Sequence, residues 1–415
     1  MMPTSDKGSN GTGSRAIHAA NWGARQAVIF GQCLLLAIWL LIGSAQYVEA
    51  ATIVVGPNAS DLSIQAASRL AKDGDTVEIL PGEYRGSVAV WSQKSLTIRG
   101  VGKRPVLIAN GHSAENKAIW VVRGGNIIVE NIEFRGARVA AGNGAGIRFE
   151  RGHLTIRGCA FADNETGILT ANRTGMELTI VNSVFERAPN EPGPLHHLLY
   201  VGAIDKLTVT GSRFHQGYRG HLIKTRAREN HILYNLIVDN EGGSASYELD
   251  IPNGGLAFVI GNVIGQSATT ENAALVAFGA EGNAWPDNAL YLAHNTLISE
   301  RAGVNWFLRI WPQKLPANTV VHALNNLLVG SGSFSSGELG RFEGNVTASI
   351  ALSRNIKAAG YRLPSTSPLR GVGVNPGQER GQALSPTAEF AWPIGTHALP
   401  PLVTWTPGAF QPVAE

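Results

Sequence analysis

The chain has 415 residues, of which 44% are hydrophobic and 16% charged. It is too apolar and too weakly charged for a disordered polymer, and 49 glycines without a three-residue period exclude collagen and ask for many tight turns. With residues 1–50 set aside, 31 basic residues face 29 acidic ones, so the surface is nearly balanced and nothing calls for a nucleic-acid partner.

The first 50 residues stand apart. Lys7, Arg15 and Arg25 precede an apolar run from Ala27 to Ala45, and Val48-Glu49-Ala50 gives the small-x-small pattern that signal peptidase accepts. The expectation is an export leader over residues 1–50 and a periplasmic or secreted remainder. The alternative is an uncleaved membrane anchor, because the run is almost long enough to span a bilayer. Cys33 follows Phe30-Gly31-Gln32, a poor lipoprotein signal. Beyond the leader only Cys159 remains, so stability rests on the fold and not on disulfides.

Residues 60–73 read as an amphipathic helix. Ser60 or Asp61 caps its start, Ile64, Ala67 and Leu70 share one face, and Gly74 ends it. Val77 to Tyr84 then reads as the opening of a first coil of strands.

A repeat follows. Leu96-Thr-Ile-Arg-Gly100, Leu154-Thr-Ile-Arg-Gly158, Leu178-Thr-Ile-Val-Asn182 and Leu207-Thr-Val-Thr-Gly211 are each a short alternating strand closed by Gly or Asn. Related segments close at Asn131, Asn235, Asn262, Asn295 and Asn326, and a second apolar group follows each closure. The closing positions advance by 24 to 33 residues. Short strands recurring at that interval predict an all-β solenoid, a right-handed parallel β-helix with an N-terminal capping helix. A propeller needs about 40 residues per blade, and a sandwich needs Asn-Gly hairpins that are scarce here. The Asn or Gly marks a bend where a left-handed backbone is tolerated, and stacked asparagines there can bond to one another along the axis. The solenoid is expected over residues 51–354. Nine of the 20 prolines fall after residue 355, so residues 355–415 read as an irregular tail packed on the last coils.

Asp73 to Tyr84 (DGDTVEILPGEY) resembles the opening of many bacterial proteins of the pectate-lyase-like superfamily, and Tyr361 to Pro368 (YRLPSTSP) is similar to a segment near their end. The resemblance covers about residues 51–415. It implies the parallel β-helix and, among several activities, polysaccharide lysis, hydrolysis or epimerisation. The layout of His221 to Asn235 (HLIKTRARENHILYN) is nearest to the alginate lyase and chondroitinase B group, where a strand ends in a catalytic lysine ahead of an Asn-x-Ile-x-x-Asn bend. Here the count back from Asn230 puts Arg226 at the lysine position, and the count from Asn262 puts Pro252 where the group has an arginine. The catalytic Lys/Arg pair of the group is therefore not preserved, and its acidic calcium ligands have no counterpart.

Function on such a solenoid lies on outward side chains. With Leu199, Val201, Ile223, Leu249 and Ile251 facing in, strict alternation sends Tyr200, Lys224, Arg226, Glu248 and Asp250 out. Tyr200, Lys224 and Asp250, one coil apart each, would form a column with steps of about 4.8 Å. For β-elimination, Tyr200 or Lys224 would be the base beside a uronate carboxylate, with Arg226 or Arg228 neutralising that carboxylate. For hydrolysis, Glu248 and Asp250 would lie roughly 6.5–7 Å apart, with room for a water. The same carboxylates could bind calcium, or the whole patch could be ordinary ion pairs. His221 shares the inward parity of Ile223, and His196-His197 point to opposite faces and read as turn or surface residues. Trp306, Trp311 and Trp285 are candidate platforms for sugar rings, with Arg309 between the first two. Alternation allows at most one of Trp306 and Trp311 to share the outer face with Arg309.

The leading expectation is an exported, monomeric carbohydrate-active protein working on an extracellular acidic polysaccharide. Its rivals are a non-catalytic polysaccharide-binding or envelope protein, and a periplasmic accessory factor that helps assemble a metal site or a polymer.

Overall fold

The computed structural model describes residues 50–58, 60–191, 193–239, 242–282, 285–334 and 339–412. Apart from Ala50, the expected leader lies outside the described residues. Ala51–Glu415 is one compact unit.

That unit is a parallel β-solenoid whose coils each supply three short strands. One middle coil runs through His197–Val201, Lys206–Thr210 and Arg213–His215, and the next through Ile223–Thr225, Glu229–Leu233 and Leu236–Val238. Each strand pairs in parallel with its counterpart one coil on: Tyr200 with Lys224, Val209 with Ile232, Phe214 with Ile237. The third strands form an 11-stranded sheet among the described residues. The first and second merge into one sheet of 20 strands, because Ala118–Glu130 and Ala145–Arg157 run through both without a break.

The core repeats with the coils. Phe134, Phe161, Phe185 and Phe214 stack face to face with centroids 5.1, 4.6 and 4.7 Å apart. Ile237 and Ile264 continue the same row. Each ring packs on the residues above and below it in the row, from Trp120 against Phe134 to Ile237 against Phe214, so no single coil holds a core alone.

The bend positions divide into two roles that the sequence pattern merges into one. Asn131, Gly158, Asn182 and Gly211 take the left-handed backbone, with φ of 54°, 58°, 50° and 59°. From there on the left-handed residue is the one before the asparagine: Tyr234, Gly261, His294 and Asn325. The asparagines form a buried ladder instead. Asn262 Oδ1 accepts the backbone and side-chain N–H of Asn235 at 2.9 and 3.0 Å, and Asn295 and Asn326 repeat the contact. Ser183 and Ser212 hold the same place in earlier coils.

The capping helix is shorter than expected, Ile64–Leu70. Ser63 caps it, its hydroxyl accepting from Ala66 N at 3.2 Å. Ile64 and Ala67 plug the core, whereas Leu70 is 58% exposed. Asp61 instead receives the Asn58 amide. A second helix, Ile350–Ala358, lies against the strands of the last coils. The chain after it turns back along the solenoid: Ala409 N bonds Thr296 Oγ1, Gly408 N bonds Asn325 O, Thr387 N bonds Tyr234 Oη and Gly395 N bonds Gly211 O.

Candidate functional site

On the face built from the first strands, side chains do not alternate strictly. Two consecutive residues of each coil are buried together: Leu198 with Leu199, Leu222 with Ile223, Glu248 with Leu249, Leu275 with Val276, Phe307 with Leu308. The backbone shows why. Leu198 N and Leu199 N donate to consecutive carbonyls of the next coil, His221 O and Leu222 O, and Leu222 N and Ile223 N do the same to Tyr247 O and Glu248 O. This is a bulge-like step repeated from coil to coil. In earlier coils Gly146 and Gly167 take this place, and a Cβ there would strike the rings of Phe161 and Phe185.

The step creates two outer rows three residues apart. One holds Thr166, His197, His221, Tyr247, Ala274 and Trp306, and the other Arg148, Leu169, Tyr200, Lys224, Asp250, Ala277 and Arg309.

Several expectations change with it. Glu248 is not on the outer face: it is 0% exposed, in the inward row between Leu222 and Leu275. It cannot act with Asp250 as a hydrolytic pair or as a calcium ligand, because the two lie on opposite sides of the sheet. Neither of its carboxyl oxygens has a hydrogen-bond partner of good geometry. Burial, reinforced by Asp239, pushes its pKa well above the carboxylate range. His221 is buried yet belongs to the outer row, its Nε2 3.4 Å from Asp250 Oδ2. His196 and His197 are buried too, at 4% and 8% exposure, rather than turn or surface residues. Trp306 and Arg309 share the outer side because two buried residues separate them, and Arg309 lies 4.7 Å over the Trp311 ring. Arg228 stands away from the cluster, exposed, with its Nε 3.5 Å from Asp205.

Tyr200, Lys224, Arg226 and Asp250 do come together. Lys224 Nζ sits between Asp250 Oδ2 at 3.3 Å and Glu281 Oε1 at 2.8 Å. Arg226 reaches Glu281 Oε2 at 2.6 Å and donates to the Tyr200 hydroxyl oxygen. Trp285 Nε1 donates to Arg226 O at 3.0 Å. Burial raises the Asp250 carboxyl to about 6, against the pull of Lys224. Burial opposes the Arg226 charge, but Glu281 and Tyr200 outweigh it and its pKa stays above the ordinary value.

The histidines are neutral and fixed in tautomer. His197 Nδ1 accepts His221 N at 2.9 Å, and His221 Nδ1 accepts Tyr247 N at 3.2 Å, which leaves the proton on Nε2 of each. Burial and the nearby cations lower the His197 pKa to about 3, and burial likewise holds His221 well below its usual range.

A cavity of about 350 Å³ opens beside Tyr200, lined also by His197, Arg148, Asn172 and Leu195. Arg148 is the cation of this cavity. Its Nε is buried without a hydrogen bond, its nearest carboxylate is Glu150 at 3.9 Å, and burial lowers its pKa.

With this geometry in hand, residues 72–304 match the family described as "Periplasmic copper-binding protein (NosD)", a match over more than half of the chain. The chain belongs to the NosD family. The family is a periplasmic one, in accord with an exported chain. Among solved structures this NosD-family solenoid is similar to the pectate lyase Pel9A, with a TM-score of 0.59 and 14% identity over 88% of this chain and 97% of that one. It is also similar to the PL6 family alginate lyase AlyGC, with a TM-score of 0.46 and 15% identity over 72% of this chain and 40% of that one. At such identity the likeness to Pel9A shows the fold alone. Among the described residues, no helix is long and apolar enough to cross a membrane.

Sequence reasoning misses three members of this NosD-family site. Glu281 comes from a loop 57 residues beyond Lys224 and carries no periodic signal. His197 is discounted by the alternation rule. Arg148 lies two coils before Tyr200 in the same outer row, and extending the column backwards by one coil length at a time would have reached it.

Proposed function

We propose that this chain acts on an extracellular acidic polysaccharide, by β-elimination at the Tyr200 cluster. One observation carries the reading: Tyr200 lines a cavity beside Arg148, whose Nε is buried without a hydrogen bond, while a second arginine, Arg226, donates to its oxygen. A uronate carboxylate entering the cavity would pair with Arg148, whose nearest carboxylate, Glu150, stands 3.9 Å away. Acting as the base in its ionised form, the Tyr200 oxygen, to which Arg226 donates, takes the proton next to that carboxylate. The electrons of the broken C–H bond form the new C=C bond, the C–O bond to the leaving sugar breaks, and the phenol returns its proton to the leaving oxygen. Lys224 is engaged by two carboxylates and supplies charge rather than the base. Asp250 and His221 position it from behind.

The family description names copper, and the donor chemistry here does not fit a copper centre. Among the described residues no group of three His, Cys, Asp or Glu side chains stands at ligand spacing. Cys159 and Met176 are wholly buried in the core, and His197 and His221 each spend Nδ1 on a backbone amide.

The mutual pairing of Lys224, Arg226, Asp250 and Glu281 favours one rival, a binding protein in which this cluster only stiffens the face. Incubation of the purified protein with alginate, pectate and glycosaminoglycans, with and without calcium, separates the two. The expected result is new unsaturated ends, and a loss of turnover on the order of 10²–10⁴-fold in Tyr200→Phe with the circular dichroism unchanged. If no polymer gains unsaturated or reducing ends, the catalytic reading fails and the binding one stands.

A further inference from the structure

A second cavity, of about 420 Å³, lies on the same face towards the N-terminal end and meets the first at Ala171 and Asn172. Lys117, Arg123, Arg151 and Arg173 line it. Lys117 and Arg123 are neutralised by Glu115 and Glu150. Arg151 and Arg173 are exposed, and among the described residues neither has a carboxylate at ion-pair distance. Arg151 also stands directly opposite Arg123 in the parallel ladder. Like charges facing one another across strands are destabilising, and here only one member of the pair is compensated within the chain. Arg148, in the adjoining cavity, lies on the same strand as Arg151, three residues before it, and Arg173 follows in the next coil, so three cations short of full compensation lie on one continuous stretch of this face. Arg148 and Arg151 are both two coils before Tyr200, but Arg151 is three residues further along the strand, about 10 Å at about 3.3 Å per residue, which puts it beyond the sugar that Arg148 and Tyr200 would share.

We infer that Arg151 and Arg173 form a distal anion subsite, and that the ligand is a linear saccharide with an anionic group on successive residues. The ligand class rests on the polysaccharide reading above; the subsite itself is a binding claim, independent of Tyr200 chemistry. A chain long enough to occupy both cavities gains the arginine contacts, whereas a disaccharide confined to the Tyr200 cavity does not.

Calorimetric titration of the purified full-length protein with size-fractionated oligosaccharides tests this. One series carries only carboxylates (uronate oligomers) and one carries sulfates (heparin oligomers), which separates the two sources of anionic charge. In the wild type, affinity should rise with length from disaccharide to hexasaccharide in at least one series. Arg151→Ala/Arg173→Ala should lose at least tenfold at the hexasaccharide with the disaccharide unchanged, and Arg151→Lys/Arg173→Lys should recover part of the loss. A length dependence that survives the alanine variant, or a wild type that binds neither series, overturns the subsite. If the alanine variant loses the length gain while Tyr200→Phe keeps full turnover, the subsite stands and the catalytic reading falls. If the length gain survives the alanine variant while Tyr200→Phe abolishes turnover, the subsite falls and the catalytic reading stands.

Discussion

Glu248→Leu should make the protein more stable, and increasingly so as pH rises. The row that holds Glu248 carries Leu198, Leu222 and Leu275 in neighbouring coils, so leucine fits a place already shaped for it. Replacing a buried carboxyl that lacks good hydrogen bonds by an apolar group of similar size removes an unsatisfied-group cost of about 1–3 kcal/mol. The pH dependence adds to this. The unfolded carboxyl ionises near pH ~4.3, while in the fold burial and Asp239 hold its pKa well above that. Between those two values the unfolded state has released a proton that the folded state retains. Stability of the wild type therefore falls by about 1.4 kcal/mol per pH unit through this window. Asp239 and Asp250, both raised to about 6 by burial, contribute the same sign below that pH in both proteins and cancel to first order in the difference. Urea denaturation at several values between pH 4 and 8 measures the gap. A gap that stays flat with pH, or a variant less stable than the wild type at pH 8, would refute the placement of a neutral acid in the core.

Two more outcomes follow from the interior. Asn262→Ala should cost about 2–4 kcal/mol, since it strips two bonds from Asn235 on one side and removes the side-chain donation to Ile232 O and Asn295 Oδ1 on the other; the shift in urea midpoint reads this, and a shift equivalent to less than about 1 kcal/mol would deny the ladder its role. Cys159 is wholly buried, with its thiol pushed up to about 12 by burial, so in the chain from residue 51 on, where it is the one cysteine, a thiol-specific chromogenic reagent should leave the native form untouched and label it fully in denaturant, whereas rapid labelling of the native form would mean that the coil opens.

The solenoid is legible in the sequence because its inward residues repeat: Leu154, Leu178 and Leu207, and Phe161, Phe185 and Phe214, return at one coil length. The bend is legible only to within one residue. A left-handed Tyr234 or His294 looks like an ordinary strand residue, so the adjacent asparagine draws the eye and two structural positions are read as one. The column of Tyr200, Lys224 and Asp250 emerges from spacing alone, since register in a parallel stack follows the coil length. What spacing does not reveal is the double inward step, which moves Glu248 inside and brings His197 and His221 to the outer rows. A period-2 rule has no place for two neighbouring residues that point the same way. The Glu281 loop is invisible for another reason: its position depends on anchoring contacts such as Glu281 N to Pro252 O, which no local pattern encodes.

The returning C-terminal segment changes how such a stack comes apart. An array held only by nearest neighbours can peel from its free end, one rung at a time. Here the last stretch is buckled to Asn325, Thr296, Tyr234 and Gly211, positions spread over several rungs. The terminal rungs cannot fray while that buckle is fastened, and once it is undone they lose their cover together, so the far half should give way in a single break rather than by gradual unzipping.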